Sequence, residues 1–335
     1  MVWNNAGRRH LVADKLIITA ALCGGVTVPT QTPHLPFTPE QMIADAKACI
    51  HAGAAAVHVH ARDPENGRPL PDPDLFGPVL AGIHRDCDAV VAITTGGGMG
   101  MSPQERLRVI PLYQPELASF NLGSMNFSIH PVARRYSPQD YKYAWEQPYV
   151  EASKDAIFRN TFADMEVFSA AFAENHVRPE YEAYDVGHLY NLRFLAKSGL
   201  AKPPFWIQFV TGVLGGIGAT PDDLLAMKNT ADRLFGTDNY RWSVIGVGYP
   251  MEFNLAAMAI VMGGHVRVGL EDNLFVRKGE LATNVQLVEK VVRLAHELDR
   301  EIATPAEMRA LLGLKGRDKV NFPAASVETV HERRA

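Results

Sequence analysis

The sequence has little cysteine, no long apolar run and no surplus of charge of one sign. Its 335 residues hold three cysteines, Cys23, Cys49 and Cys87, an odd number set far apart without C-x-x-C spacing. That argues against a disulfide framework and favours reduced thiols in a cytoplasmic enzyme. A formal net charge of −4 leaves no polybasic footprint, so neither nucleic acid nor an anionic membrane surface is expected as a partner. Basic residues do precede an apolar run in "RRHLVADKLIITAALCGGVTV", but Asp14 and Lys15 interrupt it. The uninterrupted part is too short to cross a bilayer. Leu22 before Cys23 also stands where lipid attachment needs a small residue. No internal repeat and no second domain is evident. With 47% hydrophobic and 21% charged residues, the composition is that of a soluble globular protein with a sizeable core.

What is present is an alternation. Short β-rich runs, "KLIITAA" (15–21), "AAAVHVH" (54–60), "DAVVAITT" (88–95), "ELASFNL" (116–122), "EYEAYDV" (180–186), "FWIQFV" (205–210), "RWSVIGV" (241–247) and "HVRVGL" (265–270), are nearly all followed by helical patterns. Continuous apolar strands separated by helices mean a parallel sheet covered on both faces. About eight such units in one chain predict an α/β fold, a (β/α)8 TIM barrel spanning 1–335. Helix starts are marked by "TPEQ" (38–41), "SPQE" (102–105) and "TPDD" (220–223), each with a capping residue, a proline and an acid or amide three positions on. "TPAEMRALLGL" opens a C-terminal helical extension, 304–335, outside the eightfold pattern. The aromatic, charged segment 126–164 is longer than an ordinary βα connection. It is expected to be a lid or an oligomer contact.

"HVH" carries the chemistry. His58 and His60, two apart on a strand, share a face while Val59 points away. At the C-terminal end of a barrel strand they begin a zinc site or are hydrogen-bonded core histidines. "GGHVRVGLEDN" (263–273) ends the eighth strand, which neighbours the first, as does the second. A carboxylate there, Glu271, completes a two-histidine, one-carboxylate set with open positions. Taken with "HVH", the metal reading prevails over a solvated turn. Arg267, an inward guanidinium in an apolar strand, needs a partner, and Asp272 is the nearest; the pair would orient Asp272 as a general base. Glu182 points inward from strand five as ligand, base or hydrogen-bond acceptor, unless it is an exposed strand residue. "TTGGGMG" (94–100) is a weak anion nest, and Thr94, Ser119 and Asn121 offer hydroxyl and amide contacts or merely packing. Arg134, Arg135 and the aromatics of "YKYAW" read as solvated loop. "CGG" (23–25) reads as a turn with an inert cysteine, and His188 as a cap.

With these residues in place, the chain resembles the β-keto acid cleavage enzymes. The likeness is carried by "IITAALCGG", "LPFTPEQ", "AGAAAVHVHARDPENGRP", "ITTGGG", "LASFNLGSMNF", "RPEYEAYDVGH", "GGHVRVGLEDN" and "ATPAEMRALLGL". It implies a zinc-dependent barrel, usually a homotetramer, that condenses a β-keto acid with acetyl-CoA to give acetoacetate and a new acyl-CoA. Carried over by motif, His58, His60 and Glu271 would hold zinc, and Asp272, positioned by Arg267, would take the substrate proton. Thr94, Ser119 and Glu182 would contact substrate. Where the aminohexanoate-specific member has a glutamate for the substrate's ammonium, this chain has Val26, which implies a keto acid with a neutral or apolar tail. The alternative is a metal-dependent hydrolase on the same barrel, although such sites usually need further histidines at later strand ends.

Overall fold

The fold is described from a computed structural model covering residues 14–324 apart from Met99; the last part of the expected C-terminal extension, 325–335, lies outside the described residues. All eight β-rich runs become parallel strands: β1 Ile18–Ala21, β2 Ala56–Val59, β3 Val90–Ile93, β4 Leu117–Asn121, β5 Arg178–Ala183, β6 Phe205–Thr211, β7 Tyr240–Gly246 and β8 His265–Val268. They close into one barrel in chain order. β1 completes the ring, setting Thr19 against Arg267 of β8 and Ala21 against His58 of β2. The strands are buried along nearly their whole length, hence their unbroken hydrophobic pattern.

Helices α1 Pro39–His51 and α2 Pro73–Asp86 follow β1 and β2, and the third connection is split into α3 Pro103–Leu107 and α4 Val109–Tyr113. α5 Glu146–Ala152 and α6 Phe162–Glu174 follow β4. α7 Val186–Lys197, α8 Pro221–Phe235, α9 Met251–Val261 and α10 Asn284–Glu297 follow β5 to β8, and α11 Pro305–Leu312 comes last. The Thr38–Gln41, Ser102–Glu105 and Thr220–Asp223 capping boxes form in both directions. Most strands end one to three residues before their sequence pattern, and for two of them the cause is plain. β5 stops at Ala183 because the Asp185 side chain accepts from the Gly187 amide and starts α7. β8 stops at Val268 because Gly269, at φ +148°, lies against the Ala21 carbonyl, where a Cβ would collide.

Apolar burial falls into layers. Outer faces of the strands pack on the helices in one large core. Inside the barrel base, Ile17, Ala56, Val90, Ala92, Leu117 and Trp206 form a second core with Met308 and Leu312 of α11, so α11 plugs the end of the barrel remote from the strand C-termini. Arg309 fastens the plug through Glu116 at 2.9 Å and Asp88 at 2.7 Å. The 126–164 segment is pinned at its base by antiparallel pairing of Met125–Asn126 with Ile157–Phe158. Its helix α5 is strapped to the loop after β1. The fully buried Glu146 carboxylate accepts from the Thr30 and Lys142 amides, each at 3.1 Å, and from the Thr30 hydroxyl. Tyr149 donates its hydroxyl to the Gly25 carbonyl at 2.5 Å.

Phe120 anchors β4 from outside, its ring edge-on to Phe168, Phe172 and Tyr181 at 5.2–5.8 Å. Phe120→Ala is expected to lower stability by about 3–5 kcal/mol, read as a drop in urea midpoint with an unchanged slope.

Candidate active site

The C-terminal ends of β2 and β8 place their side chains in one cluster. His58 Nε2 lies 3.3 Å from His60 Nε2, and Glu271 approaches both, at 3.3 Å from His60 and 3.9 Å from His58. One ligand atom from each lies within 4.8 Å of the other two. His58 is almost wholly buried, and burial pushes its imidazole well below its usual range, so its ring is neutral with a lone pair free. Burial opposes the charge on Glu271, but Arg267, His60 and His58 hold its carboxyl well below the ordinary value. Glu271 Oε2 and His58 Nδ1 are buried without a hydrogen-bond partner among the described residues.

Arg267 is the hub. Its Nε and Nη2 donate to the two oxygens of Asp272 at 2.9 and 3.0 Å, and Nη2 also reaches Glu271 at 2.6 Å. Nη1 points the other way, to Glu182 at 3.6 Å and Gln208 at 3.4 Å. Burial raises Asp272 to about 6, against the pull of Arg267 and with the help of Glu271. Burial lifts Glu182 further, to about 8, with Arg267 opposing. The Tyr184 hydroxyl donates to Glu182 at 3.2 Å. Three buried carboxyl groups thus face one guanidinium. As anions they exceed its charge by two, an imbalance that a dry interior penalises. A divalent cation between His58, His60 and Glu271 would restore neutrality and give Glu271 Oε2 the partner it lacks. The donor set, two neutral-capable imidazoles and a carboxylate, fits such an ion.

Residues 15–314 match the family model for beta-keto acid cleavage enzymes. The chain belongs to the β-keto acid cleavage enzyme family. It is 46% identical, over 92% of its length and 98% of the relative's, to a 3,5-dioxohexanoate:acetyl-CoA acetone transferase of Paraburkholderia graminis. It is 38% identical, over 90% and 99%, to a 3-keto-5-aminohexanoate cleavage enzyme of Acetoanaerobium sticklandii. A 3-dehydrocarnitine:acetyl-CoA trimethylamine transferase of Rhizobium meliloti is 34% identical over 90% and 98%. Among solved structures, ObcA superposes with a TM-score of 0.67 over 84% of this chain and 66% of its own, at 20% identity, a likeness of fold alone. This family member is therefore an acetyl-CoA-dependent enzyme acting on β-keto acids. That sets aside the hydrolase alternative, and β5 and β6 indeed turn Glu180, Glu182, Trp206 and Gln208 inward rather than histidines.

The remaining expected residues divide. Thr94 Oγ1 accepts from the Gly96 amide at 3.0 Å, and Ser119 Oγ from the Thr95 amide at 2.9 Å, so both brace the β3 loop while keeping a hydroxyl proton to donate. Asn121 is buried with neither amide atom partnered among the described residues. Val26 is half-buried in the loop whose Gly25 faces the His60 ring. The glycine run of 94–100 gains no support as an anion nest: Gly96 N is taken by Thr94 and Gly98 N by Met101 Sδ. His188 accepts from the Tyr184 amide at 3.2 Å, a local cap at the start of α7. The Cys23 thiol is wholly buried, and burial pushes it up, as an inert cysteine requires.

Four supporting residues escaped the sequence pattern. Arg62 donates to the carbonyls of Cys23, Gly24, Thr27 and Gly67 at 2.7–2.8 Å, shaping the loop that rests on the cluster. Continuing the 58–60 alternation by one step would have flagged it. Glu180, fully buried and accepting from Trp206 Nε1 at 2.9 Å, repeats the parity of Glu182. Glu252 and Asn284 lie far away in sequence, with no local signal.

Glu182 carries the pH dependence most open to test. Its folded value of about 8 exceeds the unfolded carboxyl value of 4.5, so its contribution to stability is complete below 4.5 and lost as pH rises through 8. The Glu182 share of the stability of metal-free protein should therefore fall between pH 4.5 and 8. Glu182→Gln should flatten that decline in urea melts taken across the range.

Proposed function

We propose that this enzyme is zinc-dependent and condenses a 3-keto acid bearing a neutral tail with acetyl-CoA, giving acetoacetate and the acyl-CoA of the remaining fragment. The convergence of His58, His60 and Glu271 beside the Arg267–Asp272 pair carries the reading. His58, His60 and Glu271 would hold the zinc, which would supply Lewis-acid chemistry favouring loss of the proton between the substrate's keto and carboxylate groups. Asp272 accepts that proton. Its two bonds from Arg267 fix its orientation, and a value raised to about 6 keeps it ionised yet basic near neutrality. The substrate carbanion attacks the thioester carbonyl and expels CoA thiolate. The thiolate adds to the former keto carbon, the bond between that carbon and its neighbour breaks, and Asp272 returns the proton to the departing acetoacetate. Glu182, with Tyr184 behind it, faces the reacting end from β5, and Thr94, Ser119 and Asn121 line the remaining wall.

The neutral tail is argued from Val26, which offers no counter-charge to an ammonium. The Paraburkholderia graminis relative, named for a 3,5-dioxohexanoate, fits that chemistry better than the more distant relatives named for amino or dehydrocarnitine substrates. A homotetramer in the cytoplasm completes the reading. The free cysteines agree with the compartment, and exposed apolar side chains such as Phe162 and Phe194 agree with assembly. Light scattering should then give a mass fourfold that of the 36.8-kDa chain.

Mass spectrometry of acyl-CoA products tests the whole. Zinc-loaded protein with acetyl-CoA and a panel of β-keto acids should give acetoacetate with a matching acyl-CoA, most from uncharged tails. Absence of any new thioester would defeat the proposal. Gly24 tests the metal site separately: it has φ +59°, and a Cβ there would run into the Glu271 side chain. Gly24→Ala should keep the fold by circular dichroism while zinc content and turnover fall at least tenfold, since displaced ligands or their supports typically cost 10–100-fold.

A further inference from the structure

The loop after β1 is held from two directions. From the barrel side, Arg62 donates to the carbonyls of Cys23, Gly24 and Thr27 at 2.7–2.8 Å. The Thr27 hydroxyl donates in turn to the Leu270 carbonyl at 2.9 Å. Among the described residues the Gly25 carbonyl accepts instead from the Tyr149 hydroxyl, on α5 of the insertion, at 2.5 Å. Gly25 itself lies on His60, where a Cβ would stand 3.5 Å from the ring Nδ1. Tyr149 is fixed from behind. Its ring stands edge-on to Trp145 at 5.6 Å, and Trp145 Nε1 donates to the Asn66 carbonyl after β2 at 3.3 Å. One turn earlier on the same helix, the buried Glu146 carboxylate accepts from the Thr30 amide at 3.1 Å. Burial pushes the Tyr149 hydroxyl above its ordinary value, so it keeps the proton it donates.

We infer that Tyr149 is a positioning residue for substrate choice: by holding the Gly25 carbonyl it fixes where Val26 stands, and so the length of keto-acid tail the site accepts. This rests on the reading above, in which the tail lies against Val26. Tyr149 acts through the Gly25 backbone rather than on the substrate. Two consecutive glycines precede Val26, and glycine restricts its own backbone least, so the segment can shift once that bond is lost. A pocket of fixed depth discriminates one methylene by about ten- to two-hundredfold, and a wall free to shift discriminates less.

The test measures kcat and KM, per bound zinc, for 3-oxopentanoate, 3-oxohexanoate and 3-oxooctanoate with acetyl-CoA, reading the matching acyl-CoA. The natural enzyme is compared with Tyr149→Phe, Val26→Ala and the double variant. The natural enzyme should spread kcat/KM across the three acids by at least about tenfold. Tyr149→Phe removes only the hydroxyl. It should narrow that spread about three- to tenfold, the size of one lost hydrogen bond, mostly through KM for the keto acid. KM for acetyl-CoA should not move. In the double variant the two effects should not add, because both pass through one segment. An unmoved spread, whatever the urea midpoint does, marks the bond as merely structural and overturns the inference. So do additive effects, an equal loss of kcat for all three acids, or a natural enzyme without preference. No acyl-CoA from any of the three acids with the natural enzyme would instead defeat the functional reading itself.

Discussion

The site depends on one guanidinium. Arg267 is buried at the heart of the barrel and touches Asp272, Glu271 and Glu182. A buried arginine is tolerated only when paired, and a buried carboxylate likewise. Here one cation cannot neutralise three acids, so their protonation states are tied together. Asp272 and Glu271 take the closer bonds and Glu182 the longer one. Glu182 is accordingly the group driven furthest from its ordinary range toward the neutral form. The same deficit of positive charge makes the adjoining pair of histidines a favourable seat for a divalent cation. The proton affinities of Asp272 and Glu182, and on the proposed reading the affinity for a metal, thus follow from one imbalance.

Such a cluster works only if its backbone does not yield. The turn 269–273, which presents Glu271 and Asp272, is held at both ends by Glu252, whose carboxylate accepts from Gly269 N at 3.1 Å and Asn273 Nδ2 at 2.8 Å. Between them Leu270 N is held by Asn284 Oδ1 at 2.8 Å, while the amide nitrogen of Asn284 reaches Leu22 of the neighbouring strand end. Arg62 fixes the opposing loop through four carbonyls, and Gly24 allows that loop to lie directly on Glu271. Buried polar groups of this kind hold position when their members are paired. Here the partners are mostly backbone, which does not move with a side-chain rotamer, and of these groups Arg62 Nε alone lacks one among the described residues.

The barrel was legible because its signals are local. Eight apolar runs, three capping boxes and the alternation of His58 with His60 lie within a few residues each, and period-two parity alone sends the imidazoles inward. Glu271 and Arg267 were legible for the same reason, being bracketed by one strand and one turn. Glu252 and Asn284 were not, since their partners are 14–21 residues away on other elements and their helical pattern is ordinary. The 94–100 glycines misled in the other direction: a glycine-rich turn suggests free amides, but two of these are spent on Thr94 and Met101. The strand ends were misplaced wherever a cap or a close backbone approach outweighed β propensity, as at Asp185 and Gly269.

The two halves of the site differ in how they are built, and this bears on specificity. The reacting end is assembled from residues on adjoining strands, β8, β1 and β2, whose register leaves little freedom. The far wall draws on β4, β5 and the 126–164 segment, whose Phe127 and Phe158 join Met125, Tyr184 and Val210 in a small separate apolar cluster. Its helix α5 reaches across to the loop after β1 through Glu146 and Tyr149, so Gly25, beside Val26, is gripped by the insertion on one side while facing His60 on the other. A change in the insertion therefore bears on the loop after β1, and through it on His60, as well as on the β4–β5 wall. On the proposed reading the chemistry is set by buried charge around Arg267, and the choice of keto acid by an uncharged residue, Val26.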